Sequence, residues 1–315
     1  MEEKEIVKTF LDMGVQLTKD SLMLIKTNPD LIINEIKKMK TRPFFLTYDY
    51  VNNIINKYND PKQKLKEIKK WEIKEKTVKI DDYNFHLTKK YEKIRDIFIS
   101  SGFNAISINK INENTKEFSI IGIIFSKTPR SFIIEDLTGE IEVYVEGILK
   151  SKMNEFQNDD VIAVSCVREK EKFYAKKMLH PDIPLNRDVK KLKEDLEIEV
   201  SNNEQSFIRP SSFDNPTIIE FDGLIFLVIP KKFLEKIGNV DNDYFVDILK
   251  KRYMLKEFDP KISYSEDDFV LDILPDFIVS DFGEKLYKNY KGTTILLVGD
   301  RGFKVNLHTR EVNEI

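Results

Sequence analysis

Three histidines, His86, His180 and His308, are the whole imidazole supply of this 315-residue chain. A two-metal phosphodiester hydrolase needs imidazole and carboxylate ligands converging on a pair of ions that lower the pKa of a water and clamp the phosphate. None of the three histidines stands in an Asp-x-His, Asn-His-Asp or Gly-His-x-His arrangement. The acid pairs Asp241 with Asp243 and Asp267-Asp268 fall in polar stretches between apolar runs, where a solvated turn is the ordinary reading. Gly299-Asp300-Arg301-Gly302 is glycine-rich, but it lacks the Lys-Ser/Thr of a phosphate cradle and opens no helix. Neither a metal nor a cofactor is expected. Cys166, the single cysteine, lies in an apolar run, so a buried structural thiol is expected. No intrachain disulfide can form, and a cytoplasmic location follows naturally.

The chemistry that remains is binding. Lys172, Tyr174 and Lys176 alternate onto one face of a strand, Lys127 and Arg130 sit in a loop, and Tyr144 points away from Val143 and Val145. Lysines that track phosphates and tyrosines on which bases stack are what a single-strand interface uses. Against this, Glu142 and Glu146 share the Tyr144 face and repel phosphate. The choice between such an interface and an ordinary solvated face is open at this level. A formal net charge of −3 means that any nucleic-acid surface must be a local patch.

The stretch Glu117–Pro184 must position these residues. Five short runs rich in Ile, Val and Phe predict strands over Glu117–Ser126, Ser131–Glu135, Ile141–Val145, Val161–Val167 and Phe173–Met178. Gly122 interrupts the first and suggests a bulge or sharp coil there. Asp136-Leu137-Thr138-Gly139 predicts a tight turn. Ile148, Leu149, Met153 and Phe156 fit one side of a short helix after the third strand. Three strands, a helix and two strands is the order of an OB barrel, the five-stranded fold used for oligonucleotides. Another small barrel without a ligand is the alternative.

Residues 1–58 are helical by pattern, with Ile6, Phe10 and Leu11 on one face, and either dock a partner or cap the rest. Residues 59–100 read as a lysine-rich linker and a helix that takes up its period at Tyr91. Trp71 stands among lysines there, either as an anchoring residue or as a linker side chain on the nearest apolar surface. The barrel domain spans 101–187, a second linker 188–211, and a further folded domain 212–315. In that last domain strands are expected over Thr217–Phe221, Leu224–Ile229, Phe269–Ile273, Phe277–Val279, Thr294–Val298 and Phe303–Leu307, with a helix over Phe245–Tyr253. The composition, 41% hydrophobic and 33% charged, is that of a soluble globular protein, and no apolar run is long enough to span a membrane. The start, Met1-Glu2-Glu3-Lys4-Glu5, does not have the pattern of a signal peptide.

The barrel followed by His180-Pro181-Asp182-Ile183-Pro184-Leu185-Asn186-Arg187, with Glu5–Asp12 at the start, resembles the small subunit of the archaeal family-D DNA polymerase. That resemblance implies an α+β multidomain fold: a helical N-terminal domain, an OB-fold barrel and a calcineurin-like phosphoesterase β-sandwich. Here the last is a degenerate remnant. After Arg187 the chain passes almost directly to Ser212-Phe213-Asp214-Asn215-Pro216, which is similar to family sequence well beyond the Asn-His-Asp turn. Where the family has a histidine after Phe226-Leu227, this chain has Val228-Ile229-Pro230-Lys231. Leu274-Pro275-Asp276-Phe277-Ile278-Val279 resembles the strand before Gly-His-x-His, but Ser280-Asp281-Phe282-Gly283 follows.

The family complex is a DNA-directed DNA polymerase with a 3′–5′ exonuclease, whose polymerase site lies on the large subunit. The resemblance therefore implies a non-catalytic accessory chain in DNA replication. Its expected partners are the polymerase large subunit, or a second copy of the chain, together with single-stranded DNA. A stand-alone single-stranded-DNA-binding protein is the alternative. Residues 212–315 are expected to fold against the barrel as a compact remnant, with the loss of half the phosphoesterase domain leaving part of its apolar strand faces for a protein partner to cover.

Overall fold

The computed structural model describes residues 2–59, 61–74, 80–238, 240–255, 263–264 and 269–315. They form two compact units, Met1–Leu65 and Lys66–Ile315. The architecture is mixed α+β.

In the first unit, helix α1 (Glu3–Asp12) buries Ile6 and Phe10, four apart on one face. It stops at Gly14, whose φ of 76° is the left-handed conformation that ends helices. Strand β1 (Gln16–Leu17) follows, then α2 (Lys19–Ile25), capped where the Ser21 N–H donates to the Thr18 hydroxyl at 3.2 Å. Helix α3 (Pro29–Lys38) opens on proline and closes on Lys37 and Lys38, each at the end that suits it. Strand β2 (Phe45–Leu46) pairs parallel with β1, and α4 (Tyr48–Asn59) completes the unit. Ile6, Phe10, Val15, Ile25, Ile32, Ile36, Leu46 and Val51 form its core.

The second unit begins with strands β3 (Lys66–Lys70) and β4 (Ile73–Lys74) and helix α5 (Ile80–Ser100). The barrel follows: β5 (Glu117–Lys127), β6 (Ser131–Asp136), β7 (Gly139–Tyr144), the helical turn α6 (Ile148–Ser151), β8 (Val161–Glu169) and β9 (Lys172–Leu179). It closes in the order β5-β6-β7-β9-β8, with β7 and β9 parallel and the other pairs antiparallel. Ile120, Ile124, Phe132, Ile134, Val143 and Val164 fill it. The expected turn is present: one Asp136 carboxylate oxygen accepts from the Thr138 and Gly139 amides at 2.7 and 3.1 Å. Gly122 is a place of close strand approach rather than the bulge. A Cβ there would lie 2.4 Å from Ile134 Cγ2 and 2.7 Å from the Glu135 carbonyl. The bulge falls at Phe125, the residue that β5 leaves unpaired opposite β6.

Beyond the barrel come β10 (Glu197–Val200), β11 (Thr217–Phe221), β12 (Leu224–Val228), α7 (Lys231–Ile237), α8 (Tyr244–Lys251), β13 (Ser263–Tyr264), β14 (Phe277–Ser280), β15 (Leu286–Tyr290), β16 (Thr293–Leu297), β17 (Phe303–Asn306) and β18 (Val312–Glu314). Six strands form one sheet, ordered β15-β16-β14-β12-β11-β3, in which β12, β14 and β16 are parallel. A second sheet is ordered β10-β17-β18, and β4 pairs with β13. The β11–β12 hairpin turns on Asp222 and Gly223, both at positive φ, as a two-residue hairpin requires.

Four further sequence expectations need correction. The lysine-rich stretch within 59–100 is not all linker. Its Lys66–Lys70 segment is an edge strand on β11, and lysines on an edge discourage further pairing. Trp71, directly after it, is fully buried, and helix α5 begins at Ile80, well before Tyr91. The segment 188–211 is not all linker either: it contributes β10, paired antiparallel with β17. Phe269–Ile273 is no strand: Val270 makes a single bridge to Tyr253.

The fourth correction concerns the apolar strand faces, which are mostly covered, with Ile225 and Ile273 half-buried. Ile218, Phe221, Leu227, Ile229, Leu271, Phe277, Val279, Ile295, Leu297, Val305 and Leu307 are all buried. Trp71, with Tyr91, Ile94 and Phe98 of α5, joins the outer barrel residues Ile121, Ile123, Val161 and Ala163 and the sheet residues Ile218, Leu227, Ile278 and Ile295 in one continuous core. The segment read as linker thus supplies part of the cover of the sheet.

Candidate nucleic-acid interface

Strand alternation places the candidates. In β7, Ile141 and Val143 face the barrel interior, so Glu142 and Tyr144 face outward. The parallel pairing of β7 with β9 sets Val143 beside Phe173 and Tyr144 beside Tyr174. The two tyrosine rings lie 5.8 Å apart between centroids, inclined at 42°. The Lys172 ammonium sits 4.6 Å from the Tyr144 ring centroid, a cation–π contact.

One carboxylate organises the cluster. The Tyr144 hydroxyl donates to Glu142 Oε2 at 2.9 Å, and the Ser131 hydroxyl donates to Glu142 Oε1 at 2.7 Å. Ser131 is available because it pairs directly opposite Tyr144 across β6 and β7. These two hydrogen bonds, Ser131's first, hold the Glu142 carboxyl below the usual carboxylate range, with a smaller contribution from the Lys172 charge. The same bond to Glu142 raises the Tyr144 phenol, which stays protonated.

Tyr144, Lys172 and Tyr174 are thus brought together. Arg130 is close in the chain path, since its carbonyl accepts from the Val145 amide at 2.8 Å, and the residue is exposed. Lys176 is exposed too, but it is the extra residue of a β9 bulge: Cys166 pairs with Ala175 and Ser165 with Lys177. The alternation that carries Lys172 and Tyr174 therefore ends at Lys176. Lys127 turns elsewhere, donating to the Phe156 carbonyl at 3.1 Å and to Gln157 Oε1 at 3.3 Å. Sequence reasoning missed Ser131, Ile133 and Val167. Ile133 pairs with Glu142 and Val167 with Tyr174, so both extend this outer face, and both are half-buried. The signal for Ile133 lay in its neighbours Phe132 and Ile134, which alternation turns inward together.

Each histidine has a separate local setting. His86 Nε2 lies 2.6 Å from the Tyr253 hydroxyl, His180 stacks on Phe156 at 4.4 Å, and His308 Nδ1 lies 2.8 Å from the Leu192 carbonyl. Asp241 caps α8 through the Tyr244 amide, and Asp243 pairs with Lys288 at 3.3 Å. Asp267 and Asp268 lie outside the described residues. Among the described residues, no group of three or more His, Cys, Asp or Glu is placed to hold a metal ion. No helix among them is long and apolar enough to cross a membrane. Cys166 is buried, and burial pushes its thiol up to about 12. Around Gly302 a Cβ would meet Ser201 Cβ at 2.3 Å, so the glycine-rich turn lies tight against the end of β10.

No protein-family model matches this chain, and no curated protein matches it.

Proposed function

We propose that this chain is a non-catalytic accessory protein of DNA replication that binds single-stranded DNA on an OB barrel. The observation that carries the reading is the Tyr144–Lys172–Tyr174 cluster, which lies on the third and fifth strands of the closed barrel. Arg130 lies in the loop between the first two strands, its carbonyl bonded to the Val145 amide that follows Tyr144. OB folds take oligonucleotides on the face of strands two and three, to which Tyr144 belongs, with the loops that join strands one to two and four to five. Stacking on two tyrosines supplies sequence-tolerant affinity, and Lys172 with Arg130 supplies phosphate contacts.

The second reading is a divergent small subunit of an archaeal family-D polymerase that docks on the large subunit. Its supports are the resemblance through PDIPLNR, the helical unit before the barrel, and the two sheets after it. Those sheets fit the remnant of a calcineurin-like phosphoesterase sandwich. Leu11, Met23 and the adjoining Phe44 and Phe45 are exposed apolar side chains of the first unit, and they favour docking there. One pair of measurements tests both readings. Fluorescence anisotropy with a single-stranded oligonucleotide across a salt series gives affinity that falls steeply with salt. Light scattering with the large subunit gives a complex. Absence of strand binding at low salt ends the first reading, and a chain that ignores the large subunit at micromolar concentration ends the second.

A further inference from the structure

We propose that the Glu142 carboxylate reads guanine in the strand bound on this face. The inference rests on the barrel reading above and deepens it. A carboxylate has about four lone-pair sites, two on each oxygen. In Glu142 one site on each oxygen is taken, by Ser131 and by Tyr144. The two that remain lie on neighbouring oxygens of an exposed side chain. They match a base edge that offers two adjacent N–H donors. Guanine has such an edge, in its N1–H and its 2-amino group. Adenine, cytosine and thymine each set a donor beside an acceptor, and that acceptor would face a carboxylate lone pair.

The stacking surface and the acceptor are fixed to each other. The Tyr144 hydroxyl bond holds the carboxylate at the edge of the ring on which a base would lie, and Tyr174 extends that surface. Ser131 is buried, so the second hydroxyl is a rigid support. Lys172, over the ring in the free protein, is exposed and able to move to a phosphate. A carboxylate on a phosphate-tracking face lowers affinity for any strand, and a base that bonds it recovers that loss. A cationic side chain of a protein partner would also suit two rings and a carboxylate. The strand is favoured because the exposed cations Lys172 and, in the neighbouring loop, Arg130 suit a polyanion better than a cationic partner.

The test is anisotropy with the full chain and three strands: thymine alone, thymine with interspersed guanines, and the same strand with inosines, which lack the 2-amino group. The guanine strand is expected to bind about tenfold tighter than thymine, with inosine losing most of the gain. In Glu142→Gln the preference disappears and thymine binding tightens, because the charge that repels phosphate is gone. Glu142→Asp, which keeps the charge but withdraws the acceptors, loses the preference without that tightening. Thermal melts check that both variants fold. Equal binding of all three strands by the wild type overturns the inference and leaves the barrel reading standing. A guanine preference that survives Glu142→Gln overturns the assignment to Glu142. No binding of any strand overturns both, and a lysine-rich peptide bound in a Glu142-dependent manner would then identify a protein ligand.

Discussion

Arg187 Nη2 lies 2.7 Å from Asp276 Oδ1, with the aspartate side chain 1% and the arginine side chain 13% exposed. The pair pins the end of the barrel-exit segment to the base of β14. The guanidinium also donates to the carbonyls of Leu274 and Pro275 and to the Thr293 hydroxyl, and Asp276 Oδ2 accepts from the Ile225 amide at 2.9 Å. Removing one partner of such a pair leaves a buried charge uncompensated, which costs roughly 3–5 kcal/mol. Arg187→Ala is expected to lower the urea midpoint accordingly. A loss below about 1 kcal/mol, the value of an exposed pair, would contradict this role.

Trp71 separates a linker from a core element. Its side chain is 0% exposed, and the Lys69 ammonium lies 4.6 Å from its ring centroid. Trp71→Ala is expected to destabilise the protein by about 3–5 kcal/mol. A tryptophan merely resting on a surface would change stability by a few tenths, so equilibrium unfolding decides between the two.

Lys90 carries a pH dependence. Its ammonium donates to the Asp159 carbonyl at 2.7 Å and lies 3.7 Å from the Tyr253 ring centroid. Burial pushes its pKa down to about 8 from 10.5, against the opposing pull of Asp160 and Asp159, while Lys251 lowers it further. Between these two values the unfolded chain holds a proton that the folded chain has released, so stability from this group rises with pH across that window. Below pH 8 both states are protonated and the full penalty applies, about 3 kcal/mol. Lys90→Met removes the penalty. Its stability advantage over wild type is expected to be largest near neutral pH and to shrink through the alkaline window. A difference that stays constant with pH would refute this assignment.

Gly122→Ala tests the barrel's closest strand approach. The new methyl would meet Ile134 Cγ2 and the Glu135 carbonyl well inside contact distance. Overpacking of this kind costs roughly 1–3 kcal/mol. Unchanged thermal stability would mean that β5 and β6 separate freely there.

On the binding face, Tyr174→Ala is expected to weaken single-strand affinity by roughly 1–3 kcal/mol if a base stacks there. Lys172→Glu with Lys176→Glu weakens it as well and flattens its salt dependence. Lys127→Ala is expected to leave binding unchanged, because that ammonium is engaged by Phe156 and Gln157. Unchanged affinity in the tyrosine and lysine variants would move the site away from this face.

Local pattern alone determined much of this protein. The alternation of Ile141, Glu142, Val143 and Tyr144 fixes which side of β7 is wet, because successive strand residues point to opposite faces. The turn at Asp136 to Gly139 was equally legible, since it depends on those residues' own backbone and side-chain preferences. Tertiary structure decided the rest. Lys66–Lys70 becomes a strand only because β11 offers an edge, and Trp71 is core only because α5 and the sheet close over it. The bulges at Phe125 and Lys176 depend on register between partners, which one strand's sequence does not encode. For the candidate site, outward direction was readable residue by residue. The meeting of Tyr144 with Tyr174, and of Ser131 with Glu142, was not, because barrel closure and cross-strand pairing join residues far apart in the chain.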